Sequence, residues 1–276
     1  MSDVFDPTRP NPAKIIAIAN QKGGVGKTTT AINLGAAMAE AGLNVLLVDL
    51  DPQGNASTGL GVESEDRHLT SYDLLLEDVE IGDLVLKTDH RGLSVIPANA
   101  DLSSADIELI SNEKRSYLLR DALRQTAMDG FSFDVILIDC PPSLSLLTVN
   151  AFIAADSVLV PLQSEFFALE GLSQLMLTIR EVRQGGNPNL RIEGVVLTMH
   201  DTRNNLSQQV EDDARENLGA LVFETRIPRN VRLSEAPSFA MPVLQYDSQS
   251  KGAQAYRALA GEVMEKNKLM GGSEHV

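Results

Sequence analysis

The chain has 276 residues, a formal net charge of −15, 43% hydrophobic residues and 4% aromatics, a balance that fits a large α/β domain. The acidic average argues against nucleic acid and anionic membrane as partners of the surface as a whole, and the lack of tryptophan argues against a base-stacking platform. A lone cysteine, Cys140, excludes an intrachain disulfide framework; with no apolar run of membrane-spanning length and no hydrophobic signal core in the opening MSDVFDPTRPNP, the expected compartment is the cytoplasm.

In chain order, residues 1–13 are rich in Pro, Asn and Asp and read as a loose arm. KIIAIAN (14–20) is the first apolar run of β type. A glycine-rich loop follows, then a helical pattern over 27–41 that stops at Gly42. NVLLVDL (44–50) and LSVIPAN (93–99) are the next strands, followed by a helix over 114–128. FDVILIDC (133–140) precedes a helix over 145–154, and DSVLVPL (156–162) precedes one over 168–184. IEGVVLTM (192–199) leads into a helix over 206–218 that stops at Gly219. LVFETRIP (221–228) is the last strand, with a final helix near 250–268. Left-handed C-caps belong at Gly42 and Gly219. The strands are apolar throughout rather than alternating, as expected where both faces are buried. The alternation predicts a single α/β domain over 14–268, a doubly wound, mostly parallel sheet with helices on both faces, and a short tail over 269–276.

The loop in IANQKGGVGKTTTAINLG (18–35) lies between a strand and a helix, the context a phosphate-binding loop requires. Gly26, Lys27 and Thr28 complete the pattern G-x-x-x-x-G-K-[ST], but its opening glycine falls at Gln21, so the loop is a variant form. Gly23, Gly24, Val25 and Gly26 would turn backbone N–H groups toward phosphate oxygens, helped by the helix dipole. Lys27 would reach the β- and γ-phosphates, Thr28 would offer a hydroxyl to Mg²⁺, and Thr29 would be a further donor. Lys22, the second lysine, has no role in that general pattern. LLVDLDPQGN (46–55) places Asp49 and Asp51 at a strand's carboxyl end, where ligands of open α/β sheets bind, and that strand is expected near the first one. Asp49 reads as structural, or as a support for the residues that would contact the ligand.

KGGVGKTT resembles the deviant Walker A motif of the ParA/MinD family of ATPases. That resemblance implies that Lys22 crosses a dimer interface to the phosphates of the partner's nucleotide, in the manner of an arginine finger. LLVDLDPQGN resembles the family's DxDPQGN motif, which implies that Asp51 positions the attacking water. VILIDCPPS (135–143) resembles its Walker B segment, which implies that Asp139 holds Mg²⁺ through water. TMHDTRNNLSQQV (198–210) and IPRNVRLSEAPSFAMPVLQYDSQSKGAQAYRALAGEV (227–263) resemble the ParA/Soj chromosome-partitioning branch, so the likeness covers roughly 14–265. It implies that Pro228 and Asn230 lie near adenine, that ATP bridges a homodimer, that the dimer binds double-stranded DNA without sequence preference, and that a ParB-like protein stimulates hydrolysis and release. The expected location is the nucleoid-associated cytoplasm.

Between 225 and 257 the charge reverses: five basic side chains, Arg226, Arg229, Arg232, Lys251 and Arg257, stand against Glu235 and Asp247. With Arg203 they form a candidate set for DNA phosphates, the alternative for each being an ordinary surface ion pair. The rival reading, a MinD-like membrane-associated ATPase, needs a basic amphipathic C-terminal helix; AYRALAGEVMEKNKLMGGSEHV has little apolar bulk and mixed charge, and no membrane contact is expected. An iron–sulfur reductase sharing the loop needs two cysteines per subunit. A partitioning repressor needs an N-terminal DNA-reading domain, for which 13 residues before the first strand leave no room.

Overall fold

The computed structural model describes residues 13–77, 79–124, 131–165 and 168–269. Of the expected arm only Ala13 falls within them, and of the expected tail only Leu269. Eight strands form one sheet: β1 Lys14–Ile18, β2 Val45–Asp49, β3 Leu86–Lys87, β4 Leu93–Ile96, β5 Val135–Asp139, β6 Ser157–Gln163, β7 Arg191–His200 and β8 Val222–Pro228. Their order is β3-β4-β2-β5-β1-β6-β7-β8. Neighbours are parallel except β3 and β4. The seven expected strands are present within a residue or three of their expected ends. The eighth, β3, is two residues long at the sheet edge, too short to carry a periodic signal.

Burial on both faces is the reason these strands read as unbroken apolar runs. Along β1 and just beyond it, Ile15, Ala17 and Ala19 enter one core while Ile16 and Ile18 enter the other. Residues of β2 and β5 divide in the same way. Helices Leu118–Leu123, Leu146–Ala154, Ala168–Gly185 and Asn205–Leu218 cover the first face, and helices Lys27–Glu40 and Lys251–Asn267 the second. The helix expected over 114–128 is confined to Leu118–Leu123, and residues 125–130 lie outside the described chain.

Helix Lys27–Glu40 ends in a Schellman turn: Leu43 N–H donates to Met38 O, Gly42 N–H donates to Ala39 O, and Gly42 has a φ of +94°. Gly219 also has a positive φ, +54°, but its ψ of −126° lies outside the left-handed helical region, so it closes its helix without the expected C-cap geometry.

β2 lies near β1, as expected, with one strand between them: β5 pairs with both. The chain leaves β1 toward one face, through helix Lys27–Glu40, and leaves β5 toward the other, through helix Leu146–Ala154. Diverging connections from neighbouring strands open the crevice in which ligands of such sheets bind.

Candidate nucleotide-binding site

The loop after β1 is tied at both flanks. Asn20 Nδ2 donates to Pro161 O of β6 at 2.8 Å, and Thr198 Oγ1 of β7 donates to Val25 O at 2.8 Å. Gly24 and Gly26 have φ values of +74° and +87°, which L side chains rarely adopt. A Cβ on Gly23 or Gly24 would meet nothing within 4 Å, so their bare backbone faces open space, as a phosphate cradle must. Gly26 begins helix Lys27–Glu40 without a side-chain cap, leaving first-turn N–H groups for an anion.

The two lysines of the loop point to different places. Lys27 is 6% exposed, and its Nζ donates to the carbonyl of Lys22 at 3.2 Å. Burial lowers its pKa, while Asp139 is the strongest influence holding the charge in place. Lys22 is exposed, and its Nζ donates to Glu165 Oε2 at 2.7 Å. Glu165 lies just beyond the end of β6 and also accepts from Gln163 Nε2.

Asp139 ends β5 in register with Ile18 of β1 and Asp49 of β2. It is fully buried, and neither carboxylate oxygen accepts a hydrogen bond of normal geometry. Burial, then the neighbouring Asp49, pushes its carboxyl well above the usual carboxylate range; Thr28 and Lys27 act in the opposite direction. Two orphaned, hard oxygen atoms beside a threonine hydroxyl suit a hydrated Mg²⁺, which keeps most of its shell as water and phosphate oxygen.

Asp49 is engaged within the protein through both of its carboxylate oxygens. Its Oδ2 accepts from Ser57 N–H at 2.9 Å and Ser57 Oγ–H at 2.7 Å, and its Oδ1 accepts from Asp51 N–H at 3.2 Å. Burial raises its pKa to about 6 against these bonds. Ser57 Oγ in turn accepts from Ala98 N–H, which joins the loop after β2 to the one after β4. Asp51 is 8% exposed, and its Oδ1 accepts from Gln53 N–H at 3.0 Å in an Asx turn.

A family model described as an AAA domain matches residues 13–192. The chain is 58% identical over 258 residues to the chromosome partitioning protein ParA of Caulobacter vibrioides, covering 94% of this chain and 96% of that one. It is 52% identical to the sporulation initiation inhibitor protein Soj of Bacillus subtilis, over 91% of this chain and 98% of that one. The chain belongs to the ParA/Soj family. Among solved structures, a Mycobacterium smegmatis protein named cobyrinic acid a,c-diamide synthase, with bound ATP analogue and magnesium, matches with a TM-score of 0.81 at 40% identity, covering 93% of this chain and 96% of that one.

In this ParA/Soj chain a cleft of about 600 Å³ opens beside Lys22, lined by Gln163, Glu165, Met199, Asp201 and Arg229 among others. Met199 has a φ of +50°, a strained backbone for a long side chain. Arg229 lines the cleft, whereas Pro228 and Asn230, on either side of it, do not; the Asn230 side chain accepts from Arg232 N–H and caps helix Val231–Glu235. A smaller recess of about 290 Å³ lies between Thr28, Thr29, Asn55, Thr58 and Pro237.

The six basic candidates do not share one environment. Arg226 donates to the nearly buried Glu211, which also takes Arg215 and lies 3.1 Å from His200 Nε2. Arg257 pairs with Glu40, at the end of helix Lys27–Glu40 remote from the phosphate loop. Arg203 pairs with Asp201 yet is 88% exposed, and Arg232 pairs with Glu235 and Asp247 with half its side chain exposed. Arg229 and Lys251 are exposed and carry no ion pair among the described residues. Sequence reading missed Thr198, Asn20 and Ser57, which act by position alone: a Thr in an apolar strand or a Ser in a short helix carries no signal of its remote partner.

Proposed function

We propose that this chain is an ATP hydrolase that partitions DNA, switching between a free monomer and an ATP-bridged dimer. The observation that carries the reading is the division of labour on one loop. Lys27 is turned inward beside Asp139, and Lys22 is turned outward, free to serve a second copy once it leaves Glu165. Names of relatives support it: they include chromosome partitioning ATPases as well as ParA and Soj.

In this reading the phosphates lie on the uncapped helix end and the bare backbone of Gly23 and Gly24, with Lys27 on the β- and γ-oxygens. Thr28 and Asp139 hold Mg²⁺, which when bound neutralises charge on the phosphates. Asp51, just past the carboxyl end of β2, orients the water that attacks the γ-phosphorus; the bond to the β-bridging oxygen breaks, and ADP and phosphate leave. Lys22 of each copy lies against the other's phosphates and stabilises the charge that develops in transfer. Exposed cations near the cleft, Arg203, Arg229 and Arg232 above all, take DNA phosphates when two copies bring their patches together. A ParB-like protein acts on the dimer to hasten hydrolysis.

A membrane-anchored reading fits less well. The apolar side of helix Lys251–Asn267, with Tyr256, Leu259, Ala260 and Val263, is spent in the core against helix Lys27–Glu40. No described helix is long and apolar enough to cross a membrane. Co-sedimentation with DNA under ATP, ADP and no nucleotide tests the proposal. Retention with ATP alone is expected; equal retention under all three conditions, or none, overturns it.

A further inference from the structure

We propose that Arg67 is a positioning residue for Asp51, acting through the turn that carries it. The inference rests on the role given to Asp51 above. Arg67 is half-buried and makes four donations, none to a carboxylate, in a chain with 38 Asp and Glu residues. Nε and Nη2 reach Val62 O at 3.1 and 2.8 Å, Nη1 reaches Ala98 O at 3.0 Å, and Nη2 reaches Thr58 Oγ1 at 2.6 Å. A guanidinium in an acidic protein that satisfies only carbonyls and a hydroxyl holds backbone in place, with its planar fork matched to several acceptors at once.

What it holds is the Asp51 turn. Gly54 N–H donates to Asp51 O at 2.8 Å and closes the turn. Thr58 Oγ1 donates to Gly54 O at 3.1 Å while accepting from Arg67. The guanidinium lies directly against Gly54: a Cβ there would be 2.2 Å from Nη1 and 2.9 Å from Ala98 O, at a φ of +61°. Position 54 is therefore glycine for two reasons, its left-handed backbone and the cation packed on it. Asp49 fixes the turn from the sheet side, and Arg67 fixes it from the side of the β4 loop. Without Arg67, the hydroxyl of Thr58 and the carbonyls of Val62 and Ala98 lose their common donor, and the turn is held from one side only.

The test compares R67A, R67K, G54A and the R67A/G54A pair with the unaltered protein, reading kcat, KM, ATP affinity and Tm. A small misplacement of a water-orienting carboxylate lowers the rate far more than it lowers substrate binding. R67A is expected to lower kcat about tenfold with ATP affinity held within about twofold, and R67K to recover part of the loss. The damage from G54A should be smaller in the R67A background, because the two changes strike one contact. An unchanged kcat overturns the proposal, as does a fall of kcat, ATP affinity and Tm together, or losses that multiply in the pair. Should R67A fail to fold, R67K carries the same kcat-against-affinity readout. D51A separates the two levels: if D51A hydrolyses ATP normally, the role of Asp51 and that of Arg67 fall together, and if only R67A and R67K are normal, Arg67 alone falls.

Discussion

Lys22 and Lys27 sit on the same loop and differ in what their removal should cost. Lys27→Ala deletes a buried cation from the phosphate site and is expected to weaken ATP binding by roughly two orders of magnitude. Lys22→Ala should leave ATP affinity nearly intact and lose hydrolysis and ATP-dependent dimers, since its present partner is Glu165 rather than the loop. Calorimetry with ATP and sedimentation of each variant decide the matter; equal loss of affinity in both would place Lys22 in its own site. Asp139 makes a different prediction. A carboxyl whose folded pKa is raised binds a proton that the unfolded chain has released, so stability is greatest on the acid side and falls as pH rises from the ordinary value to the folded one. For Asp49 that window runs from about 4 to about 6, and for Asp139 it extends further upward. The nucleotide-free protein should therefore lose stability as pH rises through this range. Asp139→Asn should raise its Tm near pH 7.5 by roughly 3 °C, while abolishing Mg²⁺-dependent ATP binding. A lowered Tm in that variant would mean the carboxylate has a partner that stabilises it.

At the scale of elements, the site is held by strands that contribute nothing to its chemistry. Thr198 of β7 bonds the carbonyl of Val25 from 173 residues away. Thr198→Val keeps the shape and orphans that carbonyl, which should cost about 1–2 kcal/mol and weaken ATP binding severalfold; thermal melts and ATP titration check both. An unchanged ATP affinity would show that the loop holds its form without β7. The sequence made the strands legible because Ile15 to Ala19, Val45 to Val48 and Val135 to Ile138 alternate between two cores and so are apolar throughout. The phosphate loop was legible because its spacing is set by local chain geometry, whereas Asp51 and Asp139 were singled out by the resemblance of the segments that carry them. Helix Asn55–Gly59 was not, since its five residues are held by Asp49 and Arg67 rather than by any periodicity. The place of β5 between β1 and β2 was also out of reach, as pairing between parallel strands leaves no mark in either run.

For the molecule as a whole, the structure sorts the basic residues by what their loss should do. Arg226→Ala removes a partner of buried Glu211 and is expected to lower Tm, with DNA affinity following only as folding fails. Arg229→Ala and Arg232→Ala should leave Tm nearly unchanged and flatten the salt dependence of DNA binding by about one unit for each phosphate no longer neutralised, or about two per symmetric dimer. Titrations on one DNA at several salt concentrations give the slope; a slope untouched in both variants removes these two positions from the DNA surface. The order of the strands also governs when the site can come into being. β1 and β2 are made early, with the phosphate loop and Asp51 already attached, but they do not touch. Residues 135–139, made later, lie between them and bring Asp139 beside Thr28. A chain still emerging from the ribosome lacks Asp139, and the strand that joins β1 to β2, until residue 139 is made. A fragment that stops short of β5 therefore carries the phosphate loop and Asp51 on strands that share no edge.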